Sequence, residues 1–328
     1  MSLYYDSDDV QLHHGDALEV ARTLPDGMAR TIVTSPPYFG LRDYGEDGQI
    51  GAESSVNEYV ARMVELFREL RRVLTDDGTL WLNLGDSYAG SASGYREGSA
   101  RADGQVRGDG HSRRNRNGTP ACGVPAKNLL GIPWRVAFAL QDDGWILRSD
   151  IIWHKPNPMP ESVTDRPTKS HEYLFLFAKS PRYYYDADSI REPHTDKALY
   201  QQEVARRNPH RPGKAAGAPG QSKQSGMAAG LRELNALGAN KRTVWTVPTV
   251  PFPGSHFAVY PPDLIRPCIR AGSEPGDIVL DPFSGSGTTG AVATFEGRKY
   301  IGIDLNRDYL RMSLETRFLQ PSLPWEAL

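Results

Sequence analysis

Ile278-Val279-Leu280 followed by Asp281-Pro282-Phe283-Ser284-Gly285-Ser286-Gly287-Thr288-Thr289-Gly290 is the stretch that decides the fold. An apolar run of this kind predicts a buried strand, and the glycines after it predict a tight turn leading into a helix. Glycine lets the backbone approach a ligand closely, and a helix N-terminus offers unpaired N–H groups, so strand, turn and helix together build a nucleotide-type pocket. Read alone, the string is also an ordinary tight turn. A second string narrows it: Thr34-Ser35-Pro36-Pro37-Tyr38 likewise follows an apolar strand, Thr31-Ile32-Val33. A third feature completes the pattern. Tyr300-Ile301-Gly302-Ile303 reads as the next strand and ends on Asp304, about 20 residues past the turn, where an acid takes ribose hydroxyls. Its plainer use would be to cap the helix from Arg307.

Working outward, the rest of the chain keeps the beat of an α/β sheet. Val10 to Thr34 reads as strand, helix, strand, with Asp16 placed to cap a helix from Ala17 to Thr23. Val60, Met63, Val64, Phe67, Leu70 and Leu74 recur at helical spacing, and Asp76-Asp77-Gly78 then turns the chain into a strand, Thr79 to Leu84. Leu130 to Leu140 predicts a helix, and Trp145 to Trp153 and Leu174 to Ala178 predict strands, with Trp145 and Trp153 in the core. Helices over 261–271, 288–295 and 307–318 follow. The expected fold is a doubly wound sheet of Rossmann type, with ligands at the carboxyl ends of the strands where strand order reverses.

Two stretches break the beat. Tyr88 to Pro125 is rich in Gly, Ser and Arg and nearly free of aliphatic residues, so it cannot bury a core and is expected to be a mobile loop. Asp186 to Thr243 is irregular and basic: from Val204 to Arg242, Arg206, Arg207, Arg211, Lys214, Lys223, Arg232, Lys241 and Arg242 face one acid, Glu233. The expected organisation is therefore one catalytic domain in two halves, 1–185 and 244–328, interrupted by a target-recognition insertion at 186–243. A chain of 328 residues is long enough for this.

Composition excludes several classes. Only Cys122 and Cys268 are present, which rules out a disulfide framework or a four-cysteine zinc site, and the eight histidines form no metal pattern. The acidic N-terminus is not a signal peptide, and no apolar run approaches the roughly 20 residues of a membrane span. The expectation is a cytoplasmic protein that binds no metal. Its net charge of −2 carries no global sign of a nucleic-acid partner, whereas the basic insertion does.

The two strings together resemble the class β DNA amino-methyltransferases, in which the catalytic tetrapeptide comes first, the recognition segment second and the cofactor motif last. Here Ser35-Pro36-Pro37-Tyr38 leads and Asp281 to Gly290 closes. Gly15-Asp16 is similar to that family's adenine-binding acid, Ile152-Trp153-His154-Lys155-Pro156-Asn157-Pro158 to the stretch before target recognition, and His256-Phe257-Ala258-Val259-Tyr260-Pro261 to the segment before the cofactor strand. The resemblance implies S-adenosylmethionine as cofactor, held by Asp16, Thr34, Asp281, Pro282, Phe283, Ser284, Gly285, Ser286, Gly287, Thr288, Thr289 and Asp304. It implies double-stranded DNA as partner, with Arg42, Asp43, Lys155, Asn157, Arg206, Arg207 and Arg211 as contacts, a possible cognate restriction endonuclease, and a monomer or homodimer.

Chemistry explains the tetrapeptide. An exocyclic amine conjugated to its ring is a poor nucleophile, so acceptors must take its two hydrogens and align its lone pair. The Ser35 hydroxyl oxygen and the Pro36 carbonyl are suited to that, Pro36 and Pro37 stiffen the turn, and Tyr38 gives a flipped base a flat face. If only that face matters, phenylalanine would serve as well. Neither cysteine sits in a Pro-Cys pair beside an acid, so the covalent route to a ring carbon has no nucleophile. Serine at the first tetrapeptide position leans towards cytosine N4. Adenine N6 methylation by the same machinery is the alternative, and a catalytically idle DNA-binding module is the rival of another class.

Overall fold

The computed structural model describes residues 2–40, 48–89, 124–196, 199, 203, 234–249 and 260–319. Two compact units emerge: residues 1–185 with 243–328, and residues 186–242. In the larger unit the strands are β1 (Ser2–Asp6), β2 (Val10–His14), β3 (Ala29–Thr34), β4 (Leu74–Leu84), β5 (Ile146–His154), β6 (His171–Ala178), β7 (Val244–Thr246), β8 (Ile278–Asp281) and β9 (Lys299–Asp304). They form one sheet in the order β1-β2-β9-β8-β3-β4-β6-β5-β7. From β2 to β4 neighbours are parallel, whereas β1 and β6 run antiparallel to theirs. The sheet is thus mixed, with β6 reversed between β4 and β5.

Strand order reverses between β3 and β8. They pair directly, Thr31 with Val279 and Ile32 with Leu280, while β3 leads on to β4 on one side and β8 to β9 on the other. That is the switch point at which open sheets bind ligands.

The strands alternate their faces. Ile32, Leu80 and Leu82 join a core with Val20, Met63, Phe67, Leu70, Val136 and Leu140, from helices α1 (Ala17–Thr23), α2 (Val56–Val73) and α3 (Ile132–Asp142). The residues between them face the other way. Thr31, Thr79 and Trp81 lie under α4 (Pro262–Gly272), with α5 (Thr288–Phe295) beside it and α6 (Arg307–Ser313) following β9. Helix α2 shows why the sequence folds this way. Ser55 caps it by accepting from the Glu58 N–H at 3.2 Å, and its buried Tyr59, Met63, Leu66, Phe67 and Leu70 share one stripe. Each large side chain so buried contributes about 1.5–3 kcal/mol.

Sequence boundaries shift in places. Strand β1 is an addition, β4 starts at Leu74 with a register irregularity before Thr79, and the last helix changes pitch, giving a π-helical turn over Leu314–Phe318. Residues 90–123 of the expected loop lie outside the described residues. Its base is closed by Ala89 N–H to Asn128 O at 2.8 Å and Lys127 N–H to Ala89 O at 2.7 Å. Within the smaller unit Glu192 and Ala239 bridge antiparallel, and the Arg191 guanidinium holds Asp188 and Asn240, each at 2.6 Å. Arg206, Arg207 and Arg211 fall outside the described residues, as do Arg42 and Asp43. No helix among the described residues is long and apolar enough to cross a membrane.

Candidate active site

The two strings meet through one side-chain bond. Thr34, the last residue of β3, donates its hydroxyl to Asp281 Oδ1 at 2.7 Å. The Asp281 carboxylate also receives the Phe283 N–H at 3.0 Å, the Thr289 hydroxyl at 2.6 Å and the Tyr260 hydroxyl at 3.2 Å. Burial pushes this carboxyl above the usual aspartate range, and the hydrogen bonds, Thr289 and Thr34 foremost, pull it back. Expected among the ligand-binding residues, Asp281 has its acceptor positions taken up by the protein. It braces the end of β3 against the glycine turn.

The turn's own side chains are likewise bonded within the protein. Ser284 accepts from the Tyr300 hydroxyl at 2.9 Å, Ser286 and Thr288 bond each other at 3.1 Å, and Thr289 is committed to Asp281. Of residues 281–290, Phe283 alone is not buried. Gly287 has φ +75°, and a Cβ there would lie 2.8 Å from Ser313 Cβ and 3.2 Å from the Phe318 ring. Its glycine is therefore required by the protein's own packing, whatever a ligand adds.

Asp304 is partly exposed at the end of β9. Its carboxylate accepts the N–H of Gly285 at 2.7 Å and of Asn306 at 2.8 Å, which fixes its direction. Asn306, not Asp304, caps α6. Half-buried Phe283 and this oriented acid make a donor set that fits an adenosyl group: an apolar face beside an acceptor for ribose hydroxyls. Asp16 caps α1 by accepting from Leu18 and Glu19 N–H at 3.0 and 3.1 Å, and its other oxygen lies 3.9 Å from Arg62.

On the acceptor side Ser35 follows β3, and Pro36 is buried. The Pro37 carbonyl is held by the Tyr59 hydroxyl at 2.9 Å. The Tyr38 ring lies so close to Gly85, after β4, that a Cβ there would sit 2.5 Å from it. Its hydroxyl receives Ser35 Oγ–H at 3.3 Å and donates to Glu172 Oε2 at 2.8 Å, with Asn83 Oδ1 at 3.2 Å. Burial, with the Glu172 charge beside it, pushes the phenol well above the usual tyrosine range, so it stays protonated. The Tyr38 hydroxyl thus meets Ser35, Glu172 and Asn83 together.

Lys155 and Asn157, expected as DNA contacts, have partners within the protein. The Lys155 ammonium pairs with Glu172 Oε1 and lies 4.1 Å over the Trp153 ring. The Asn157 amide is tied to Thr249, receiving its N–H at 2.9 Å and donating to its carbonyl at 3.0 Å. Asn83 and Glu172 escaped the sequence argument. Asn83-Leu84-Gly85-Asp86 ends a predicted strand, a signal for Asn83, whereas Glu172 precedes an apolar run and reaches the site only because β6 is reversed. Burial lowers Lys169, whose ammonium donates to the Asp86 carbonyl at 2.8 Å. Trp145 and Trp153 are buried. The described residues contain no cluster of metal-ligating side chains.

With the two turns joined at the switch point, comparison with known proteins fixes the class: the DNA methylase family of N6 and N4 type matches residues 29–315. The chain belongs to the DNA amino-methyltransferases of the N4/N6 class. The type II methyltransferase M.Cfr9I of Citrobacter freundii is 50% identical over 307 residues, covering 92% of this methyltransferase and 86% of the relative. Among solved structures, the PvuII DNA methyltransferase (cytosine-N4-specific) superposes with a TM-score of 0.61 at 20% identity over 99% of this chain and 92% of that one. M1.HpyAVI in complex with SAM gives 0.51 at 17% identity over 95% and 100%. Both share the fold. The cofactor of this methyltransferase is S-adenosylmethionine.

Proposed function

We propose that this methyltransferase modifies the N4 amine of cytosine at a specific site in duplex DNA, on a base turned out of the helix. The observation that carries the reading is the Thr34 to Asp281 bond, which fastens the amine-acceptor turn to the glycine turn at the switch point. When bound, S-adenosylmethionine supplies an electrophilic methyl group. Phe283 and Asp304 would hold its adenosyl part, together with the backbone from Pro282 to Gly287. Ser35 Oγ and the Pro36 carbonyl accept the two amine hydrogens and direct the nitrogen lone pair, so most of the acceleration is positioning. The Tyr38 ring meets the base face. Cys268, buried in α4 with its thiol 3.6 Å from the Leu264 carbonyl, is no nucleophile for a ring carbon.

Serine at position 35, where an acid would favour adenine, supports cytosine, as does the cytosine-N4 specificity of the PvuII enzyme. Target recognition is assigned to residues 186–242, with Arg206, Arg207 and Arg211 as phosphate or base contacts and Arg42 and Asp43 beside the base. The type II name of M.Cfr9I supports a cognate restriction endonuclease as partner.

Mass spectrometry of DNA from a methylation-free host expressing the protein tests this. N4-methylcytosine is expected. N6-methyladenine would overturn the base, 5-methylcytosine would overturn base and mechanism, and unmodified DNA would leave a DNA-binding module.

A further inference from the structure

We propose that Glu172 sets the hydrogen-bond polarity of the catalytic turn, so that the Ser35 hydroxyl can only accept from the target amine. The inference rests on the amine-methylation reading above.

A hydroxyl has one hydrogen to give and two lone pairs, so in a chain of hydroxyls the direction is set at the end that cannot reverse. Here that end is a carboxylate. Glu172 Oε1 pairs with the Lys155 ammonium, and Oε2 lies 2.8 Å from the Tyr38 hydroxyl and 3.2 Å from Asn83 Nδ2. An ionised carboxylate is acceptor-only, so Tyr38 must donate to it. Asn83 reinforces the direction. Its NH2 group is spent on Glu172 and on the Tyr173 carbonyl at 3.0 Å, which turns its carbonyl oxygen, another acceptor, towards Tyr38 at 3.2 Å. With both inner neighbours acceptors, the Tyr38 oxygen is left to receive, and Ser35 at 3.3 Å supplies the hydrogen.

Ser35 then presents lone pairs alone to the pocket. That is what an amine with two N–H donors needs, whereas a hydroxyl free to rotate would spend part of its time pointing a hydrogen at the reacting nitrogen. At 3.3 Å the Ser35 bond is long for O–H···O, so its direction depends on the pull from Glu172. Glu172 is thus a positioning residue acting through Tyr38.

Glu172→Gln puts a group that donates as well as accepts at the end of the chain, and Tyr38→Phe removes the middle link while keeping the flat face. Each variant should lower kcat about tenfold or more, the worth of one well-formed bond in the transition state. The KM for DNA and the calorimetric affinity for S-adenosylhomocysteine should stay near wild type. The double variant should be no slower than the worse single one, since both break one chain. Wild-type kcat in either folded single variant overturns the proposal, and so do losses that multiply in the double. If Glu172→Gln melts at assay temperature, Tyr38→Phe decides alone. Unaffected variants of a wild type that makes N4-methylcytosine refute the role of Glu172 only, whereas a wild-type product other than a methylated amine refutes the functional reading and this inference together.

Discussion

Replacing Asp281 with alanine should cost stability first and activity through it. The substitution removes the acceptor of four donors, all fixed in a buried site: the hydroxyls of Thr34, Thr289 and Tyr260 and the Phe283 N–H. Each buried donor left unsatisfied costs about 1–3 kcal/mol, although Thr289 and Tyr260 also bond each other and can close up. The Phe283 N–H cannot rotate away. Removing the desolvation penalty of a buried carboxylate returns part of the loss, so the net should be roughly 2–4 kcal/mol. With a urea slope of about 3 kcal/mol/M the unfolding midpoint should fall by about 1 M. Asp281→Asn keeps one acceptor oxygen, and its neighbours' hydroxyls can turn to receive its NH2 group, so it should lose about 1 kcal/mol. Circular dichroism in urea measures both. If Asp281→Ala keeps the wild-type midpoint while its affinity for S-adenosylhomocysteine collapses, the carboxylate is a ligand and the brace is refuted.

Gly287→Ala should also read as a folding defect of about 1–3 kcal/mol, from its positive φ and the 2.8 Å approach to Ser313, seen as a lowered Tm with proportionate loss of ligand binding. Asp304→Ala should instead weaken S-adenosylhomocysteine about 10- to 100-fold by calorimetry, the loss of one or two charge-assisted bonds, with further weakening from the freed Gly285 N–H. Lys155→Met should leave the slope of log affinity for DNA against log salt unchanged, because the ammonium is spent on Glu172, whereas a phosphate contact would reduce that slope by about one.

The sheet was readable because its signals are local. Apolar runs ending in Asp281, Thr34 and Asp304 announce parallel strands, and the glycine turn announces what lies between them. The partition of roles within the turn was not readable. Ser284 looks like a ligand group in one dimension, yet Tyr300 brings it a partner that exists only once β8 and β9 are packed, while Ser286 and Thr288 bond each other and Thr289 bonds Asp281. Glu172 was hidden for a similar reason. An acid just before Tyr173-Leu174-Phe175 reads as a solvated strand start, and nothing nearby says that β6 runs against β4 and β5, bringing its first residues to the rim where those strands end. Lys155 shows the same limit: a lysine among prolines suggests phosphate, and the sequence gives no sign of its partner, 17 residues on.

The pairing of β3 with β8, and of β2 with β9, has a consequence for how the chain comes into being. Thr34 and Asp281 are 247 residues apart, so the strands that complete the middle of the sheet leave the ribosome long after β2 and β3. Until then β2 and β3 each carry an unsatisfied edge, a template for mispairing, and the acceptor turn has no brace. Contacts of such separation form slowly because the intervening chain must be closed before they stabilise anything. A growing chain therefore holds no half-formed catalyst, and a chain stopped short of residue 278 is a folding hazard before it is an inactive enzyme.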